Sequence, residues 1–331
     1  MSADEQHALE PDAGRVDVHR HLMLDRYVQL RADNDVAARA WTPRMNVDAA
    51  IADMDDAGIA TSVVSVPTPP SPIGRDGAEM RRFCRDNNDY LADVTRTHPD
   101  RFGMFACIPL PDVNAALEEI EYAFGTLGAD GIHVFTNYGE LWMADPSFAP
   151  VYAELDRRGA VLYTHPRTPS CCAHVLPELG VSDAIIEYGT DTTRALMQYV
   201  FGGTASRCPS IQPIFSHAGG TMPMLVERFV NLAATKAFTA VCPDGFLPLA
   251  SRFYYDTAQA SNTAAMSALR AVAPASQVLF GTDFPWRTAR EHADALRACG
   301  VFDARDIDAI ERRNPAALLP RVASMARRVG L

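Results

Sequence analysis

The sequence predicts a (β/α)8 TIM barrel with an inserted lobe after its first strand and extra helices at its C-terminal end. Three observations carry this prediction. Eight short apolar, β-branched or aromatic runs recur along the 331 residues. Segments with apolar residues at helical spacing separate them. No linker rich in Gly, Pro or Ser divides the chain, and a barrel of this kind fills ~250 residues or more. Strands alternating with helices argue for βαβ units and a parallel sheet, and eight such units close most simply on themselves. A doubly wound open sheet is the alternative, but no G-x-G-x-x-G follows any predicted strand.

The predicted strands cover residues 16–19, 62–66, 102–108, 131–135, 161–165, 211–217, 253–257 and 278–283. The helix at 47–57 carries Ile51, Met54 and Ala57, and that at 76–97 carries Met80, Phe83, Leu91 and Val94. The helix at 112–127 opens on Asp112, a capping residue, and that at 147–158 stops at Gly159. Helical patterns follow at 192–201, 222–234 and 261–273. From Thr288 onward the chain reads as two or three helices, one of them at 315–327 with Pro315 in its first turn. Residues 67–72, rich in proline, form a stiff loop at the rim. Residues 22–45 have a poor pattern and form the inserted lobe or lid. Residues 1–15 are polar and acidic, so the expectation is a frayed tail rather than a secretory signal, with one metal-dependent barrel over 16–331.

Composition narrows the function. The net charge is −11 and the pI about 5.3, which argues against a nucleic-acid surface. No stretch approaches the ~20 apolar residues of a membrane span. The seven cysteines are odd in number and include no C-x-x-C pair. Neither a disulfide framework nor a cysteine zinc site is indicated, and the expected setting is the cytoplasm. Lys236 is the only lysine.

In a barrel the reactive residues sit at the C-terminal ends of the strands. Strand one ends in Asp17-Val18-His19-Arg20-His21, strand five in Thr164-His165-Pro166, strand six in Ser216-His217-Ala218 and strand eight in Thr282-Asp283-Phe284. Four of the nine histidines fall at these ends. Successive strand residues point to opposite faces, so His19 and His21 share one face while Arg20 turns away. With Val18 and Arg20 directed outward, both imidazoles meet the barrel axis. His165 and Asp283 complete a set of three nitrogens and one oxygen that suits one divalent ion, zinc first and manganese second. His217 is a further ligand or a general base. The bland reading holds for the others: His7, His98 and His292 are solvated, His133 packs or hydrogen-bonds inside strand four, and His174 lies in a loop.

These residues resemble the aminocarboxymuconate-semialdehyde decarboxylase branch of the amidohydrolase superfamily. The matching stretches are Asp17-Val-His-Arg-His21, Ile51-Ala-Asp-Met-Asp-Asp-Ala-Gly58, His98-Pro-Asp-Arg-Phe-Gly103, Thr164-His-Pro166, Phe215-Ser-His-Ala-Gly-Gly220, Phe253-Tyr-Tyr-Asp-Thr257, Gly281-Thr-Asp-Phe-Pro285 and Asn314-Pro315. They run in the family's order along nearly the whole chain after the tail. Residues 136–140 and 191–194 are closer to methylsalicylate-decarboxylase-like members. The resemblance implies a metal-dependent barrel that breaks a C–C bond without net hydrolysis. It implies His19, His21, His165 and Asp283 as metal ligands and His217 as the catalytic histidine. The bridging carbamylated lysine of binuclear members has no counterpart at the end of strand four, which implies a single ion. The family's lobe arginine that grips the substrate carboxylate corresponds to Arg39 or Arg44, and Arg228 resembles an arginine that family members project into a neighbouring subunit's site. Arg167 is rimward by position, and arginine suits carboxylates because its fork makes two parallel hydrogen bonds. A homodimer follows from the resemblance alone.

The expected activity is a non-oxidative carboxy-lyase acting on a small aromatic or unsaturated carboxylic acid such as a hydroxybenzoate. In one route Asp283 or His217 protonates the ring carbon before carbon dioxide leaves. In the other His217 takes a proton from a water at the ion and hydroxide adds to the substrate. The competing activities are a mononuclear hydrolase of lactones or amides and a hydratase of a conjugated acid.

Overall fold

A computed structural model describes residues 14–34, 45–70, 73, 77–172 and 181–328. Its core is an all-parallel eight-stranded sheet: β1 (Arg15–His21), β2 (Ile59–Ser65), β3 (Phe102–Cys107), β4 (Gly131–Phe135), β5 (Val161–His165), β6 (Gln212–Phe215), β7 (Tyr254–Asp256) and β8 (Val278–Leu279), in that spatial order. Residues just past β8 close the ring onto β1. The Val18 N–H donates to the Phe280 carbonyl at 3.0 Å, that of Asp283 to His19 at 2.8 Å, and that of His21 to Phe284 at 3.0 Å. The barrel foreseen in the sequence is thus present with each predicted strand in place.

Helices cover the outside. They include α1 (Asp25–Asn34), α2 (Val47–Asp56), α3 (Gly77–Thr97), α4 (Val113–Tyr122), α5 (Ala149–Arg158), α6 (Glu187–Phe201), α7 (Val226–Ala233), α8 (Thr263–Arg270), α9 (Ala289–Ala298) and α10 (Pro320–Arg328). Local chemistry sets their ends. Asp112 caps α4 by accepting the Ala115 N–H at 3.0 Å, and Gly159 ends α5 in the left-handed region at φ 58°. The barrel interior is filled by Val16, Val18, Val63, Phe105, Tyr163, Ile214 and Leu279, with Leu318, Leu319 and Val322 packed against them.

Five expectations need correction. Arg15 is not tail but the first residue of β1, fully buried and ion-paired with Glu311 at 2.9 Å. Val18 belongs to the interior cluster rather than the outer face, because the register of β1 shifts between Asp17 and Arg20 and breaks strict alternation. The lobe is in part regular, since residues 25–34 form α1. The sixth strand stops at Phe215, where the chain turns into a left-handed pair at His217 and Ala218. Pro315 lies near the start of a short helix, Asn314–Leu318, and α10 starts afresh at Pro320. The rest of the expected tail, residues 1–13, lies outside the described residues.

Candidate metal centre

Arg20 shows how β1 presents its histidines. Its fully buried guanidinium points away from the axis, as the period of two requires. It pairs with Asp17 at 3.0 Å and Asp53 at 2.7 Å, and lies over Phe284 at 4.4 Å. Asp17 in turn accepts the His19 N–H at 3.0 Å and the Thr282 hydroxyl at 2.8 Å. This buried knot ties β1 to α2 and to the chain after β8. Gly281 supplies the room: a Cβ there would come within 2.9 Å of the His19 Cβ and 3.0 Å of the Asp256 Cβ.

His19, His21, His165 and Asp283 converge so that one ligand atom from each lies within 4.8 Å of every other, and all four residues are buried. The His19 and His21 Nε2 atoms are 3.1 Å apart, and Asp283 Oδ1 is 3.3 Å from the first and 3.2 Å from the second. The outer nitrogens fix what the inner ones are. His19 Nδ1 faces Asp256 Oδ2 at 2.9 Å, His21 Nδ1 the Ser65 carbonyl at 3.3 Å, and His165 Nδ1 the Pro166 carbonyl at 2.9 Å. The Asp256 carboxylate and the Pro166 carbonyl accept only, so Nδ1 of His19 and of His165 carries the hydrogen, while His21 Nδ1 meets both the carbonyl and the hydroxyl of Ser65 at 3.3 Å. Where it donates to the carbonyl, each neutral imidazole turns a lone pair inward. Three nitrogen lone pairs and a carboxylate facing one another repel unless a cation lies among them. The donor set suits a divalent ion of the zinc or manganese type, with each histidine oriented by an acceptor behind it.

The protonation balance agrees. Burial pushes the His19 imidazole down, but Asp256 and Asp283 more than offset this and raise its pKa to about 10. Burial lowers His21 to about 4 and carries His165 well below the usual range. Burial works against ionised Asp283, yet its bonds to His19 and His21 keep its carboxyl well below the ordinary value. Of the three imidazoles, His19 is thus the one whose protonated form the neighbouring carboxylates favour.

His217 stands beside this cluster, its ring 5.0 Å from that of His19 and 5.8 Å from that of His165. Its Nδ1 donates to the Ala258 carbonyl at 3.0 Å, and its buried Nε2 has no hydrogen-bond partner among the described residues. Among the described residues, the non-glycine positions with positive φ are His217 (53°), Ala218 (57°), Gln259 (54°) and Asp283 (59°). All four lie at this site. Such backbone costs of order 1–3 kcal/mol per residue and persists only where the surroundings hold it. Asp256 Oδ1 does so for His217 by accepting its N–H at 2.9 Å, and Gln259 Nε2 reaches Asp283 Oδ2 at 3.2 Å.

Other residues were not singled out in the sequence. Asp256, fully buried at the end of β7, braces both His19 and His217. The strand-end rule that found the histidines also points to it. Trp286 lies edge-on to His21 at 5.5 Å, and Tyr188 to His165 at 5.9 Å. Arg31 of α1 lies over Trp286 at 5.5 Å. Nothing in the local sequence marks these three.

Arg167 is half-buried, 5.9 Å from the Phe135 ring, and makes no ion pair with a described residue. Arg228 is exposed on α7. Arg39, Arg44 and His174 lie outside the described residues. His292 is not solvated: it is fully buried on the inner face of α9, and burial lowers its pKa to about 4. His98 is half-buried. His133 packs against Phe135 and Tyr163 as expected, but neither ring nitrogen has a hydrogen-bond partner among the described residues.

A closed parallel barrel with a histidine–carboxylate centre at the C-terminal ends of its strands is the architecture of a metal-dependent amidohydrolase-type enzyme. The amidohydrolase family profile matches residues 16–321, and the chain belongs to that family. It is 32% identical over 322 residues to "Decarboxylase yanB" of Aspergillus niger, covering 93% of this chain and 88% of that one. It is 33% identical over 302 residues to the 6-methylsalicylic acid decarboxylase of Penicillium expansum, covering 88% and 90%. Among solved structures, a dihydroxybenzoic acid decarboxylase from Polaromonas sp. JS666, with bound manganese and an inhibitor, superposes with a TM-score of 0.79. It shares 20% identity, and the match covers 93% of this chain and 97% of that one. The enzyme class expected from the sequence, a carboxy-lyase of the amidohydrolase superfamily, stands with these relatives. No helix among the described residues is long and apolar enough to cross a membrane.

Proposed function

We propose that this protein removes carbon dioxide, without oxidation, from a small hydroxylated benzoic acid. The observation that carries the reading is the convergence of His19, His21, His165 and Asp283, whose ligand atoms all lie within 4.8 Å of one another. The relatives that cover most of the chain are decarboxylases, one of them named for 6-methylsalicylic acid. In this reading the four residues hold one divalent ion, zinc or manganese. When bound, such an ion supplies a Lewis-acid anchor for the substrate's oxygens.

The chain's own groups do the rest. His217 Nε2, free of partners among the described residues and presenting a lone pair, takes a proton from the phenolic hydroxyl and returns it to the ring carbon that bears the carboxylate. The bond between that carbon and the carboxylate then breaks. The new C–H bond takes its electron pair from the ring π system, fed by the deprotonated oxygen; the pair of the broken C–C bond returns to the ring and restores its aromaticity, and carbon dioxide departs. Arg167, two residues beyond His165, holds the carboxylate. Trp286 and Tyr188 flank the pocket and limit it to a flat ring.

A homodimer and a cytoplasmic setting belong to the same proposal. Among the described residues, the exposed large apolar side chains are Val181, Ile185, Ile186, Met197, Met224, Leu225 and Leu247. All fall between residues 181 and 247, on elements that bond to one another, as Thr193 and Thr221 do through their hydroxyls at 2.9 Å. Exposed apolar side chains gathered in one part of the chain suit an association surface. Arg228, exposed on the neighbouring α7, would in this reading reach a partner's site. The seven cysteines are free, which suits a reducing compartment.

The test is a screen of hydroxylated benzoic acids for released carbon dioxide, run beside lactones and amides for released acid, with metal content measured on the same preparation. Carbon dioxide from an ortho-hydroxylated acid, dependent on stoichiometric metal, is the expected result. Acid release from lactones or amides without decarboxylation overturns it.

A further inference from the structure

Residues 136–140 and 191–194, two separate segments set apart in the sequence, meet at one buried carboxylate. Asp191 lies in α6 and is fully buried. It accepts hydrogen bonds from the Thr136 hydroxyl, from Asn137 Nδ2 at 2.7 Å and from Trp142 Nε1 at 2.8 Å. Arg194 lies 3.7 Å away. A buried carboxylate needs such partners, because desolvation of an unpaired one is costly. The arrangement does more than satisfy Asp191.

Thr136 and Asn137 follow directly on β4, and each has a second partner at the same residue. The Thr136 hydroxyl oxygen accepts the Arg167 N–H at 3.2 Å. The Asn137 amide donates to the Arg167 carbonyl at 2.9 Å. The Thr136 N–H donates to the carbonyl of His165 at 3.0 Å. Both backbone polar groups of Arg167 are thus gripped by side chains whose orientation Asp191 sets. A threonine hydroxyl must point its hydrogen at Asp191 to leave a lone pair for the Arg167 N–H. The Asn137 amide must turn one hydrogen to Asp191 and the other to the Arg167 carbonyl.

We infer that Asp191 is a positioning residue: through Thr136 and Asn137 it fixes the backbone of Arg167 so that its guanidinium meets the substrate carboxylate. The inference rests on the reading, given above, that Arg167 holds that carboxylate. It explains why a carboxylate that touches no ligand of the metal centre is buried a few residues beyond Tyr188, the ring that flanks His165. Removing the charge frees the Thr136 hydroxyl to reorient, and the Arg167 backbone loses its defined anchor. An arginine fork mispositioned by about 1 Å loses the parallel pair of hydrogen bonds on which its grip depends.

The experiment is a double-mutant cycle on the metal-loaded, full-length protein with a hydroxybenzoate that it decarboxylates. Asp191→Asn is expected to raise KM about tenfold, change kcat less than threefold and leave metal stoichiometry unaltered. Its affinity for a phenol that lacks the carboxylate should not move. Arg167→Ala should raise KM at least as much, and the double variant should be no worse than Arg167→Ala alone. Independent, multiplicative effects in the double variant, or an unchanged KM in Asp191→Asn beside a raised KM in Arg167→Ala, overturn the inference alone. An unchanged KM in Arg167→Ala overturns the role of Arg167 as well. Should Asp191→Asn fail to fold, the pair Thr136→Val and Thr136→Ser decides: Val is expected to raise KM and Ser to keep it near native. Equal KM values in the two overturn the clamp.

Discussion

Replacing Asp256 by Asn changes one oxygen for an NH2 group, yet the structure assigns it a large effect on metal binding. Asp256 Oδ1 accepts the N–H groups of His217 at 2.9 Å and Ala258 at 3.1 Å. An Asn carbonyl oxygen can keep both, so the left-handed turn at His217 should persist. The other position faces His19 Nδ1 at 2.9 Å. There an amide donor would meet a ring nitrogen that now donates, and His19 must move its hydrogen to Nε2. That places the hydrogen where the lone pair is needed, within 3.3 Å of Asp283 Oδ1. A hydrogen bond to a charged group contributes about 1.5–3 kcal/mol. A loss of about 2 kcal/mol corresponds to about 30-fold in affinity, within the 10–100-fold typical of such supporting residues. The assay is competition for the ion against a chromophoric chelator at fixed pH, with circular dichroism to confirm the fold. An affinity within twofold of the unsubstituted protein would refute the tautomer argument.

Four further outcomes follow from the same geometry. His217→Ala should keep its metal and lose 10²–10⁴-fold in turnover, whereas His19→Ala should lose metal, and elemental analysis beside kinetics separates the two. Metal uptake near pH 8 should release about one proton per ion, because metal-free His19, with its pKa raised to about 10, is protonated there and must be neutral to bind. Apparent affinity should therefore rise with pH until about pH 10, and a calorimetric titration in buffers of different ionisation heat that shows no proton release would contradict this. Gly281→Ala should cost about 1–3 kcal/mol, since its Cβ would press on the Cβ atoms of His19 and Asp256. Chemical denaturation measures that cost, and an unchanged midpoint would show that β1 yields easily. Ile185→Asp with Met224→Asp should convert the proposed dimer to monomer in sedimentation, and an unaltered sedimentation coefficient would refute the proposed association surface.

By itself the sequence determined the barrel and the chemical character of its centre. Eight apolar runs at the right intervals leave few ways to bury them, and His19, His21, His165 and Asp283 each lie at or just past the C-terminal end of a strand. Arg20 between two histidines was legible as outward-facing because alternation is a property of the local chain. The tertiary structure decided what depends on contacts between distant segments. Asp256 became the brace of two histidines only once β7 lay between β6 and the chain that closes onto β1. His292 reads as solvated in a polar helix, yet packing of α9 buries it. The register shift in β1 turned Val18 inward against the simple alternation. Thr136, Asn137 and Asp191 gained a joint purpose only where the turn after β4 meets α6. Periodicity and strand-end position are carried by neighbouring residues and can be read along the chain. The partner of a buried polar atom is set by which elements pack together, and that pairing is written in no single stretch of sequence.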